Sequence, residues 1–151
     1  MTTKRLIGWR HDVAMDFDIE ACVPGEPAGH LLVVHFWGSY WPQDRRREGG
    51  GFMRMVVAAA LAWERGPGLG LVVDLARLEY PGGDRLFYWK TALRPFGLSA
   101  ENYALALVWA PHNWARIRSL LEEEGDDELL HACFVSVDEA EDSVCSRRRQ
   151  P

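Results

Sequence analysis

The stretch that decides the fold is Leu69–Phe87, LGLVVDLARLEYPGGDRLF. Leu71 to Leu75 is an apolar run with an aspartate, Asp74, near its end. A run of this kind suits a strand covered on both faces. Leu78 and Tyr80 then make a short hydrophobic step, and Pro81-Gly82-Gly83 makes a tight turn. Asp84 opens a helix, where its carboxylate can accept from the free backbone N–H groups of the first turn. Strand, turn and helix in succession form one unit of an α/β fold.

Working outward, similar units recur. Met15, Phe17 and Ile19 alternate with Asp16 and Asp18, so one half-exposed strand is expected within residues 6–20. Residues 22–29, CVPGEPAG, are turn chemistry, and His30 to Trp37 is a second doubly covered strand. A loop follows over residues 38–51. A helix then carries Met53, Val56, Val57, Ala60 and Leu61 at helical spacing and stops at Arg65-Gly66-Pro67-Gly68. After the opening stretch, Leu86, Trp89, Leu93 and Phe96 form a helical stripe.

Ala104 to Ala110 and Leu129 to Val135 read as two more buried strands. Between them Pro111 and Asn113 open a helix with Trp114, Ile117, Leu120 and Leu121 on its inner side, and Gly125 closes it. Ser136 and Glu139 fit a capping box for a last helix, about Asp138 to Cys145. Helical crossovers between apolar strands imply parallel pairing. The expected fold is therefore α/β, with a mixed, mostly parallel sheet of about five strands flanked by helices. The N-terminal strand is expected at an edge or antiparallel to its neighbour. Residues 1–146 read as a single domain and 147–151 as a basic tail that frays.

Composition sets limits on function. The chain has 151 residues, 48% apolar and 26% charged, the balance of a soluble globular domain. Its formal charge is -5, with 22 acidic against 17 basic residues, which argues against general nucleic-acid binding. No apolar run is long enough to span a bilayer, and no secretory signal is evident, so a cytoplasmic location is expected. Cys22, Cys133 and Cys145 show neither CxxC nor CxxH spacing, so no metal site is expected and Cys133 reads as core filling. No nucleophile elbow, phosphate loop, dinucleotide fingerprint or zinc-protease motif occurs, so neither catalytic residues nor a cofactor are expected.

The pattern resembles the STAS domain of sulfate transporters and anti-sigma factor antagonists. The resemblance rests on Val72-Val73-Asp74-Leu75, the approach Leu78-Glu79-Tyr80, and the turn Gly82-Gly83-Asp84-Arg85-Leu86. A second match is the strand Leu105 to Trp109 with the helix ending at Leu120-Leu121 and Gly125, followed by a strand and the helix start at Ser136 to Ala140. It implies a non-enzymatic regulatory module in bacterial signalling. Its partner would be another protein, a regulatory kinase-like or sigma-pathway component. In anti-sigma antagonists this turn carries a serine whose phosphorylation repels the partner. Here Pro81-Gly82-Gly83-Asp84 has no hydroxyl, which excludes that switch at this turn. Asp84 supplies a fixed negative charge there and would oppose anion binding at the helix start.

Trp37, Tyr40 and Trp41 stand beside Arg45, Arg46 and Arg47, the residue types that dominate interface hot spots. The protein-binding candidates are therefore Tyr40, Trp41, Arg45, Arg46 and Arg47 with Gly82, Gly83 and Asp84; the plainer alternative is a core Trp37 and a solvated arginine loop. The rival class is a small-molecule or nucleotide sensor or enzyme at the strand C-termini, where open α/β sheets bind ligands. It would use His112 and Asn113, with Ser39 and Tyr80; against it, residues at a helix start serve more often as caps. His35 reads as a core histidine bonded to backbone. Glu122 to Glu124 with Asp126 to Glu128 reads as a solvated helix end that opposes the helix dipole. Self-association as a homodimer stays open.

Overall fold

The computed structural model describes residues 2–9, 15–23, 31–39, 59, 70–79, 89–96 and 105–148. One six-stranded sheet runs in the order β1-β2-β3-β4-β5-β6. Its strands are β1 (Thr2–Trp9), β2 (Met15–Val23), β3 (Leu31–Ser39), β4 (Gly70–Glu79), β5 (Leu105–Val108) and β6 (Cys133–Phe134). The first three pair antiparallel, and β3 to β6 are parallel. The described helices are α1 (Trp89–Ala92), α2 (Pro111–Glu124), α3 (Asp127–His131) and α4 (Val137–Arg148), with a 3-10 turn at Arg94–Phe96. The chain is thus α/β with a mixed sheet, as its apolar runs imply.

Sequential strand order fixes the layers. Each parallel strand is added on the same side of the last, and right-handed crossovers then all lie on one face of the sheet. The core agrees. Ala59, Trp89, Leu93, Ile117 and Leu121 are buried together with Leu32, Val34, Phe36, Leu71 and Val73. The opposite face receives α4, whose Ala140 and Val144 pack with Leu31, Val33, Val72, Ala106 and Val108. Leu71, Val72 and Val73 are each fully buried because helices lie on both sides of β4. Burying such a side chain contributes roughly 1.5–3 kcal/mol.

Several boundaries depart from the sequence expectation. The N-terminal region forms two strands instead of one, and Cys22 and Val23 belong to β2 instead of a turn. The β1–β2 register shifts between Arg5 and Ile7, which places Leu6 at an irregularity and breaks the period-two signal. β3 continues through Gly38 and Ser39, and β4 runs on past Leu75 to Glu79.

The predicted strand Leu129–Val135 shrinks to Cys133–Phe134, because Asp127–His131 forms a helical turn. Gly125 causes this locally. Its φ of 68° reverses the chain, and its N–H and that of Asp126 donate back to Glu122 and Leu121. Asp126 then caps α3 by accepting from the Leu129 N–H at 3.1 Å. Asp127 and Glu128 therefore sit in a first turn, where the helix dipole favours them, and do not belong to a helix C-terminus. Glu122 to Glu124 do end α2 and are exposed, as expected. The predicted box at Ser136 shows its serine half, with Ser136 Oγ accepting from the Glu139 N–H at 3.2 Å. α4 extends through Arg148, into the segment expected to fray.

Candidate functional site at the ends of β3 and β4

Two five-residue runs lie side by side. Leu31-Leu32-Val33-Val34-His35 of β3 pairs in register with Gly70-Leu71-Val72-Val73-Asp74 of β4. The first four pairs are apolar or glycine and are covered from both sides. The fifth pair is His35 and Asp74, in the middle of both strands and level with the C-terminal end of β5 at Val108.

Their side chains meet at 2.6 Å, from imidazole Nδ1 to carboxylate Oδ2, with only 15% and 9% of each side chain exposed. An ionised carboxylate only accepts, so the imidazole Nδ1–H is the donor. The other carboxylate oxygen, Oδ1, accepts from the Ala76 backbone N–H at 3.0 Å. Asp74 thus ties β3 to the stretch of β4 that follows it. Beside the expected core position, the structure gives His35 a buried carboxylate partner, Asp74. A carboxylate behind an imidazole fixes the ring's tautomer and orientation, the arrangement that acid–base and ligand-binding histidines use.

The segment held by that second bond is irregular. His35 pairs with Asp74 and Trp37 with Arg77, so β4 carries one more residue than β3 between the two pairs. Leu75 and Leu78 both enter the core on the α2 side, while Ala76 packs on the α4 side. Strict alternation would place Leu75 and Leu78 on opposite faces. The extra residue is a β-bulge, a device that re-aims a side chain. Here it brings Arg77 over the Trp37 ring, with the guanidinium carbon 5.2 Å from the ring centroid. Across the other ladder, Asp18 occupies the register position opposite His35, and Asp16 the position opposite Trp37.

Beyond the bulge, Gly38 pairs with Leu78 and Ser39 with Glu79. Gly38 has a φ of 100°, a conformation that glycine adopts without strain. β3 and β4 therefore end together, at neighbouring positions. Of the sequence candidates, Ser39 is the last residue of β3. Tyr40, Trp41, Arg45, Arg46, Arg47, Tyr80, Gly82, Gly83 and Asp84 lie outside the described residues.

His112 and Asn113 lie in the first turn of α2, which begins just after β5. Neither caps the helix: Ala110 is the N-cap residue, without a side-chain cap, and the Asn113 N–H donates to the Ala110 carbonyl at 2.9 Å. His112 is exposed, and among the described residues no hydrogen bond joins it to His35 or Asp74.

Sequence reasoning noticed His35 and Asp74 separately and missed their pairing. The signal was available: LLVVH and GLVVD align residue for residue, and in adjacent parallel strands such an alignment sets His beside Asp.

Elsewhere, Cys133 is buried, as expected, and accepts from the Trp109 indole N–H at 3.2 Å. Burial pushes its pKa up to about 12, against the Trp109 hydrogen bond, which lowers it, and with the Asp126 carboxylate adding to the rise. The group is an unreactive thiol. Among the described residues, no group of three His, Cys, Asp or Glu side chains could hold a metal ion, and no helix is long and apolar enough to cross a membrane. No protein-family model matches the chain, and neither the curated proteins nor the solved structures contain a significant match to it.

Proposed function

We propose that the chain is a non-enzymatic regulatory or protein-interaction module, similar in kind to STAS anti-sigma factor antagonists. It engages a protein partner through the C-terminal edge of β3 and β4. One observation carries this reading: Ser39 and Glu79 are register partners at the ends of adjacent parallel strands. The segment with Tyr40, Trp41 and Arg45 to Arg47 starts immediately after the first, and the segment with Tyr80 and Gly82 to Asp84 immediately after the second. Two stretches far apart in sequence thus leave the sheet from one place. The first has the aromatic and arginine composition of interface hot spots. Lacking a hydroxyl, the Pro81–Asp84 turn supports regulation by binding alone, without phosphate transfer to that turn.

A second reading has its own observation, the partly buried His35–Asp74 pair in the middle of the same two strands. Open α/β sheets hold small ligands outside the strand C-termini. An imidazole oriented by a carboxylate would suit a sensor or an acid–base site there.

One experiment separates the two. Tagged full-length chain and the Trp41→Ala, Arg46→Ala double variant are used to capture proteins from the native lysate, read by mass spectrometry. Both proteins are also melted with a panel of nucleotides, acyl compounds and phosphates. The interaction reading expects one stoichiometric protein that the double variant loses while its melting temperature holds. Equal capture by both, with a ligand raising the melting temperature as linkage requires, supports the ligand site instead.

A further inference from the structure

Helix α2 buries Ile117 and Leu121 and leaves its opposite side exposed. At 3.6 residues per turn, the line facing away from those two runs through His112, Ala115 and Ser119. Its middle is small, which lets a second helix axis approach closely. The Ser119 hydroxyl donates to the Ala115 carbonyl at 3.1 Å, so its polar group is satisfied within the helix. Charges flank the line, with Arg116 and Glu123 on one side and Arg118 and Glu122 on the other, all exposed. On both flanks the arginine precedes Ser119 and the glutamate follows it. Arg118 and Glu122 meet at 2.7 Å. The ends of the helix are charged against its dipole. The first turn has no acidic residue and no side-chain cap, and Glu122 to Glu124 close the helix with no basic residue in the last turn.

We propose that the outer face of α2 is a self-association surface: a second copy of the chain docks on it, helix antiparallel to helix, about a two-fold axis at Ser119. Such an axis reverses the chain direction and sets each flank against the same flank of the second copy. Arginines then meet glutamates on both flanks. With a rise of 1.5 Å per residue, Arg116 and the second copy's Glu123 fall about 1.5 Å apart along the axis, and Arg118 and its Glu122 about 3 Å apart. Long side chains span those offsets. The carboxylates of the last turn come beside the start of the other helix, where the dipole favours them. A parallel pairing would instead set arginine against arginine and glutamate against glutamate. The face is complementary to itself, and that singles out a second copy as the occupant. The contact shares no residue with the β3–β4 edge, so it stands or falls apart from the docking reading.

Sedimentation equilibrium of the full chain over a concentration series is the test. Each copy carries a net charge of -5, so long-range repulsion opposes pairing. At ~0.1 M salt the screening length is about 10 Å, which damps that repulsion and spares contacts between neighbouring side chains. A reversible dimer is expected. Arg116→Glu with Arg118→Glu gives one sign to both flanks, and Glu122→Arg with Glu123→Arg gives the other. Each double variant alone should dimerise roughly tenfold more weakly, because like charges then face each other. Mixed one to one, the two should form a heterodimer as tight as the wild-type dimer. The mixture is decisive: the Arg118–Glu122 bond within the helix stays broken in both chains, and only the contacts between chains are restored. A chain carrying all four reversals should dimerise like wild type. Circular dichroism checks that each variant is folded.

A wild-type chain that stays monomeric throughout the series overturns the proposal. So does a dimer that both double variants form as tightly as wild type, which would place the interface elsewhere. A mixture that associates no better than its two components overturns it as well.

Discussion

Cys133 and His35 both sit in strands built of apolar neighbours, and their immediate contacts give them different characters. Cys133 has an indole N–H for company and stays a neutral thiol. His35 has a carboxylate. For Cys133 a consequence follows from linkage. Its folded pKa, about 12, lies above the ordinary value of 9.0. Between those two values the unfolded thiol gives up its proton while the folded one keeps it. The folded state then binds more protons, so stability falls as pH rises. At pH 8 the full contribution is present; it is lost progressively from about pH 9 upward. Chemical denaturation at pH 8 and at pH 10.5 should show a larger drop for the wild type than for Cys133→Ala, which has no thiol to ionise. Parallel drops would contradict the assignment.

Asp74 and the bulge in β4 belong to the scale of the element. One carboxylate serves two partners on two strands, His35 at 2.6 Å and the Ala76 N–H at 3.0 Å. Asp74→Ala leaves a partly buried imidazole without its carboxylate and a bulge N–H without its acceptor. The expected loss is about 2–4 kcal/mol of unfolding free energy, read from urea melts. Asp74→Asn, whose amide oxygen still accepts from Ala76, should lose about half as much. Amide exchange at Ala76 should quicken in the alanine variant. An alanine variant as stable as wild type would mean that the bulge is held by other forces.

Legibility also differs from element to element. β3, β4 and β5 could be read because strands covered on both faces are apolar throughout. β1 could not, because the irregularity at Leu6 disrupts its alternation. The short β6 was overextended because Leu129 and Leu130 look the same in a strand as in a helical turn, and Asp126 decides between them. The bulge was equally hidden. Alternation predicts opposite faces for Leu75 and Leu78, and only the pairing with β3 shows the added residue.

The whole molecule places its crossover helices on one face and α4 on the other. That leaves the strand ends, away from both layers, as the natural place for binding. The sequence showed the composition of the candidate segments, aromatic and arginine after residue 39 and glycine-rich after residue 80. It could not show that they leave the sheet from neighbouring positions, because that depends on β3 and β4 being adjacent and parallel, with Ser39 opposite Glu79. His112 and Asn113, the best polar pair by sequence position, lie in the first turn of α2.

The most direct test of the central claim is to locate the contact. A photo-crosslinking amino acid is placed at position 79, at the end of β4, or at position 119, an exposed site on α2. Each protein is irradiated in the native lysate, and its adducts are identified by mass spectrometry. If the β3–β4 edge is the docking site, one protein is cross-linked from position 79 and not from position 119. Cross-linking of that protein equally from both positions, or from position 119 alone, would contradict the account.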